Sequence, residues 1–140
     1  MIEVEVSAQV NPTEDEGRVR AAIENIFPGL EYQFEDRDGM TPRLVGRGDK
    51  DCLNMLHELL RSRMILDTAR TNLRIEGGIV TFRLNKQAAT AGKVSFPADD
   101  ETLGSIWVEI KAKDGDVVER VVDWLAPPTE HGHPLFEIKL

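Results

Sequence analysis

The segment IEVEVSAQV, residues 2–10, alternates without interruption: Ile2, Val4, Val6, Ala8 and Val10 share one side, and Glu3, Glu5, Ser7 and Gln9 share the other. Successive side chains of a strand point to opposite faces, so this pattern describes a strand buried on one side and wet on the other. IVTFRL at 79–84 repeats it with Val80, Phe82 and Leu84, and SIWVEIKAK at 105–113 repeats it with Ile106, Val108 and Ile110. Strands of this kind need a cover over one face only. The chain must therefore supply helices for one side of a sheet and leave the other side in water.

The helices are legible too. NPTEDEGRVRAAIENIF has Thr13 as a cap before an acidic turn, then Val19, Ala22, Ile23 and Ile26 at helical spacing, and Pro28-Gly29 as the stop. CLNMLHELLRSRMILDTARTNL is the longest helical pattern, capped by Asp49 or Asp51. It places Leu53, Leu56, Leu60 and Met64 on one face, with Asp67 as the cap of a second helix if the run breaks. DGDVVERVVDWL turns Val117, Val118, Val121 and Leu125 inward and stops at Pro127-Pro128. LEYQFEDRD and PRLVGRG are two strands joined near Asp38-Gly39, a hairpin signal. LFEIKL at 135–140 is expected to close the chain as a strand. The fold class that follows is α+β. It is a single domain over residues 1–140, a mostly antiparallel sheet with helices packed on one face.

A chain of 140 residues with one cysteine, Cys52, forms no internal disulfide and suits a reducing cytoplasm. No apolar run reaches the roughly 20 residues that span a bilayer, so no membrane partner is expected. The net charge of -8 speaks against a polyanion until its distribution is read. Arg43–Lys93 carries ten basic and five acidic side chains, which leaves the acidity to the rest. A polarised chain can present one face to RNA and still be acidic in total. The excess of acids also fits adaptation to a salty interior, where acidity concerns solvation.

Within the basic stretch, FRLNKQAATAGKVSF at 82–96 stands out. Asn85 suits a helix cap, the alanines suit close packing, and Gly92 suits the left-handed closing position. The spacing predicts a short helix from Asn85 to near Gly92, with Lys86 and Gln87 exposed at its N-terminus, where free N–H groups favour a phosphate. Arg83, out of phase with Phe82 and Leu84, faces solvent, and Lys93 follows the helix. In RMILDTARTNLR, Arg63, Arg70 and Arg74 fall at i, i+7 and i+11, one stripe if the helix is unbroken and a scattered set if it breaks. Arginine's planar fork suits phosphate oxygens, and Asp67 can hold Arg63 or Arg70 in place. A salt-bridged, solvated helix face is the alternative.

RSRMILDTAR, FRLNKQAATAGKVSF, LGSIWVEI and DWLAPPTEHG, in this order, resemble an archaeal family of small uncharacterised proteins. The resemblance implies RNA binding and association with the archaeal exosome or other RNA-processing proteins. It also implies a fold similar to the large-subunit ribosomal protein that binds 5S ribosomal RNA, and related to double-stranded-RNA-binding domains. Carried onto this sequence, it favours Arg63, Arg70, Asn85, Lys86 and Gln87 as RNA contacts. It brings no catalytic residues, and the acidic remainder departs from a typical RNA-binding protein.

Enzymatic constellations do not emerge. His131 and His133 lack further ligands at zinc spacing, and Cys52 and His57 face different ways on one helix. Asp36 with Asp38, Asp99 to Glu101, and Asp114 with Asp116 lie where turns and caps want aspartate. No cofactor, metal or catalytic activity is therefore expected. With aromatics at 6%, contact by shape and phosphate is expected rather than base stacking. Two functions remain: an RNA-binding module using Arg63, Arg70, Arg74, Arg83, Asn85, Lys86, Gln87 and Lys93, or a protein-interaction subunit. The oligomeric state, a dimer included, stays open.

Overall fold

The computed structural model describes residues 2–97, 101, 103–112 and 115–140, with the side chains of 115–117 outside the description. Asp99, Asp100 and Asp114 lie outside the described residues, as do the side chains of Asp116 and Val117. Six strands make one fully antiparallel sheet in the order β2-β3-β1-β6-β5-β4. They are β1 Ile2–Gln9, β2 Glu31–Glu35, β3 Arg43–Gly48, β4 Arg74–Glu76, β5 Ile79–Leu84 and β6 Ile106–Ala112. The helices are α1 Glu16–Ile26, α2 Asn54–Ser62, α3 Leu66–Asn72, α4 Lys86–Thr90 and α5 Gly115–Leu125.

The three alternating segments set the registry. Val6 of β1 faces Val108 of β6, which faces Phe82 of β5. Their apolar side joins Leu44, the inward residues of α1, α2, α3 and α5, and Ala89 of α4 in one core. Gly46 and Gly48 lie on that same side of β3, where a Cβ on Gly46 would stand 2.8 Å from Leu30 Cδ1. These glycines therefore do not mark a break in the strand; Leu30 fills the space that their missing side chains leave.

Two expectations change, the Thr13 cap and the 135–140 strand, and the open question of the long helix is decided. Asp15, not Thr13, caps α1 by accepting from Gly17 N at 2.9 Å. The long helix breaks after Ser62: Met64 takes φ +55° and is exposed, and α3 resumes at Leu66, where Leu66 and Ala69 return to the core. The Arg63–Arg70–Arg74 stripe is thereby scattered, with Arg74 in β4. Gly77 and Gly78, both at positive φ, form the two-residue turn of the β4–β5 hairpin, a conformation matching the twist of paired strands. Residues 135–140 form no strand. A small hairpin, β7 Thr129–Glu130 with β8 His133–Pro134, precedes a tail whose Ile138 and Leu140 pack against the core.

Candidate nucleic-acid interface

The segment after β5 folds as a capped helix, but its lysine points inward. Asn85 Oδ1 accepts from Ala88 N at 2.7 Å, and Gly92 closes α4 at φ +72°. Lys86 is only 6% exposed. Its Nζ donates to Gln9 O at 2.9 Å, to Leu103 O at 2.7 Å and to Glu14 Oε1 at 3.0 Å. All three N–H donors of the ammonium are therefore engaged. Lys86 binds the end of β1, the approach to α1 and the approach to β6 into one knot, and its N–H groups are not turned to a phosphate. Asn11 supports Glu14 through its N and Nδ2, at 3.1 and 2.7 Å. Burial alone would raise the Glu14 pKa; the Asn11 N–H and Lys86 outweigh it and hold the carboxyl below its ordinary value. Asn85 Nδ2 donates to Glu101, so both of its polar ends serve the fold.

The RSRMILDTAR segment has a structural role as well. Arg61 donates to Trp124 O at 3.0 Å, Leu125 O at 3.2 Å and His57 O at 3.0 Å, and grips the Glu137 carboxylate with Nε and Nη2. Arg70 reaches Asp123 Oδ1 and Ala126 O, each at 3.0 Å. Asp67 accepts from Thr129 Oγ1. The last carbonyls of a helix have no partner within it; here Arg61 and Arg70 of RSRMILDTAR cap the end of α5 in DWLAPPTEHG. The two segments read as separate motifs are two halves of one clamp. His57 lies beside it, stacked on Trp124 with ring centroids 4.5 Å apart. Burial, and then the neighbouring Arg61 cation, lower its pKa.

What remains is the helix-free side of the sheet. One cross-strand row runs Gln33, Val45, Ser7, Trp107, Arg83, and the next runs Glu31, Arg47, Glu5, Glu109, Thr81, Arg74. Val45 and Ser7 are buried, whereas Trp107 is 46% exposed. The Arg83 guanidinium carbon lies 5.3 Å from the Trp107 ring centroid, within cation–π range. Beside this pair opens a groove of about 460 Å³, lined by Asn72, Arg74, Glu76, Thr81, Arg83, Pro97 and Trp107 among others. Among the described lining residues, Arg74 and Arg83 outnumber one acid, Glu76. Toward the sheet centre, Arg47 is paired with Glu5 at 3.0 Å, and Glu109 adds negative charge.

Of the residues singled out in the sequence, the structure brings Arg74 and Arg83 together in this groove. Arg63, Gln87 and Lys93 are exposed but do not line it. Trp107 was missed as a site residue, although its signal is present: it is the large aromatic at a polar phase of an alternating strand. Among the described residues no group of three or more His, Cys, Asp or Glu side chains converges as a metal site.

A family model described as RNA binding matches residues 3–112, which contain all of the six-stranded sheet except Ile2. The chain is 42% identical to the UPF0201 protein of Methanosarcina acetivorans, covering all of this chain and 93% of that protein. This chain belongs to the UPF0201 family. The UPF0201 protein of Pyrococcus horikoshii is likewise 42% identical, with 95% of each chain covered. The crystal structure of the Methanococcus jannaschii UPF0201 protein superposes with a TM-score of 0.86 at 38% identity, covering 96% of this chain and 99% of that one. These UPF0201 relatives are archaeal, and the shared fold includes the sheet whose open face carries the groove.

Proposed function

We propose that this protein binds RNA through the groove over β4, β5 and β6, with Arg74 and Arg83 as its phosphate contacts. The observation that carries the reading is the convergence of two arginines and an exposed tryptophan on the side of the sheet that no helix covers. The RNA-binding family model, matched across this sheet, supports the same direction. The Lys86 knot and the Arg61–Arg70 clamp do not contribute contacts, because their donors are already spent on the fold. In this reading the protein is a non-catalytic, cytoplasmic accessory factor of RNA processing, and exosome proteins are its candidate partners.

The test is RNA binding by the purified protein across a salt series. Neutralising two to four phosphates on a single strand gives a slope of log K against log salt of roughly -1.4 to -2.8. Arg74→Glu with Arg83→Glu should weaken binding and flatten that slope. Binding untouched by this pair would remove the groove from the interface. Labelled RNA should stay intact in Mg²⁺ or Mn²⁺. A second reading, protein interaction, is favoured by the exposed Met64, Leu135 and Phe136, with Met64 lying against Gly132 of the small hairpin.

A further inference from the structure

Resting on the reading that this groove binds RNA, we infer that it takes a single strand, with one unpaired base stacked on Trp107 and the flanking phosphates held on the β4–β5 side. The placement of the indole comes first. Trp107 stands on β6 between Ser7 of β1 and Arg83 of β5. Its β1 neighbour, Ser7, is a small residue, while Arg83 lies at cation–π distance on the β5 side. A side chain that is 46% exposed in the wall of a groove offers its aromatic surface to a ligand. Aromatic surface takes any base, because every base has a π face.

Charge then sets the strand's path. In the next row Arg47 neutralises Glu5, which leaves Glu109, beside Trp107 on β6, to repel phosphate on that side. Arg74 and Arg83 lie toward the β4 edge and attract it. The backbone therefore runs over β4 and β5, and the base turns inward to β6. A duplex cannot meet these terms: its bases are stacked on one another, and A-form RNA presents base edges and 2′-hydroxyls to a protein. Selection of single strands follows from the tryptophan, not from the arginines, which suit both forms.

The experiment uses the intrinsic fluorescence of the protein. Trp107 is exposed and Trp124 is buried against His57, so Trp124→Phe leaves Trp107 as the reporter. Oligouridylate, oligoadenylate and a blunt RNA duplex of equal length are titrated into this variant. Both single strands should quench Trp107 saturably, and the duplex should bind at least about tenfold more weakly. In the otherwise native chain, Trp107→Ala should weaken single-strand binding roughly 5- to 150-fold, and Trp107→Phe should retain most of it. Circular dichroism and melting curves show that each variant is folded. RNA binding that leaves Trp107 fluorescence unchanged and survives Trp107→Ala overturns the stacking inference, as does equal affinity for the duplex. In either case sensitivity to Arg74→Glu with Arg83→Glu keeps the groove reading. Binding insensitive to all three substitutions, or no binding to any of the RNAs, defeats both.

Discussion

Replacing Lys86 with methionine keeps the length of the side chain and deletes its ammonium. The loss can be followed atom by atom. Gln9 O and Leu103 O lose donors at 2.9 and 2.7 Å, and the Glu14 carboxylate loses its counter-ion at 3.0 Å. The Lys86 and Glu14 side chains are 7% and 14% exposed, so water does not freely replace what is removed. Breaking a buried pair by deleting one partner costs about 3–5 kcal/mol. The two Asn11 donors still serve Glu14, which places the expected loss at the lower end, about 3 kcal/mol. Urea unfolding followed by circular dichroism reads this as a fall in midpoint at constant m. Glu14→Gln in the same chain removes the stranded charge, so the double variant should be more stable than the sum of the two losses by about 1–3 kcal/mol. The knot also shapes the acid limb. A carboxyl whose pKa is depressed by folding contributes stability that is present above its unfolded value and lost as pH falls through the folded one. Lys86→Met should flatten that limb below about pH 4.3. A variant within about 1 kcal/mol of the native chain, or strict additivity with Glu14→Gln, would refute the argument that Lys86 closes the fold.

Other consequences are separable. The lowered pKa of His57 means that the folded state resists protonation, so stability should fall as pH drops below about 6.5; His57→Phe, which keeps a ring on Trp124, should remove that step in a Tm–pH profile. Burial, with Asp49 second, pushes the Cys52 thiol up to about 12, so Ellman's reagent should leave it unmodified in the folded protein and react in urea. Gly46→Ala should destabilise by about 1–3 kcal/mol in a denaturant series, because its Cβ would also meet Tyr32 Cε1 at 3.1 Å and Leu30 Cβ at 3.2 Å. Arg61→Lys should lower Tm and loosen the C-terminal tail, read as faster amide exchange at 135–140, since an ammonium cannot reach Glu137 and the α5 carbonyls together.

Period two and period 3.6 carried most of the fold into view. β1, β5 and β6 follow from alternation, the β2–β3 hairpin from its turn, and α1 and α5 from spacing and stops. Periodicity failed where the phase survives an interruption. Leu53, Leu56, Leu60, Leu66 and Ala69 all reach the core, so the apolar pattern runs on while the backbone breaks at Met64. β4 hid for a different reason: all three of its residues are exposed, so no buried face marks it, and only Gly77-Gly78 betrays the hairpin. At the candidate site Arg74 and Arg83 were legible as cations, but their meeting depends on the β4–β5 register. The direction of Lys86 was not legible at all, because it is fixed by Glu14, seventy-two positions away.

Asn85, Lys86, Arg61 and Arg70 are polar residues in the most recognisable segments, and each has its side-chain donors or acceptors engaged by another part of the same chain. A polar group buried without its partner is costly, so a fold that relies on such contacts constrains those positions as tightly as a binding site would. Distinctive polar segments therefore report the knot at Lys86 and the clamp on α5. A surface that contacts RNA through phosphates and one stacked base makes weaker demands on the chain around it. It needs a cation near the β4 edge and an aromatic at an outward position of β6, and alternation supplies such a position at every second residue. The groove at Arg74, Arg83 and Trp107 lies outside the two locks for this reason, and substitutions there leave the Lys86 knot and the α5 clamp in place.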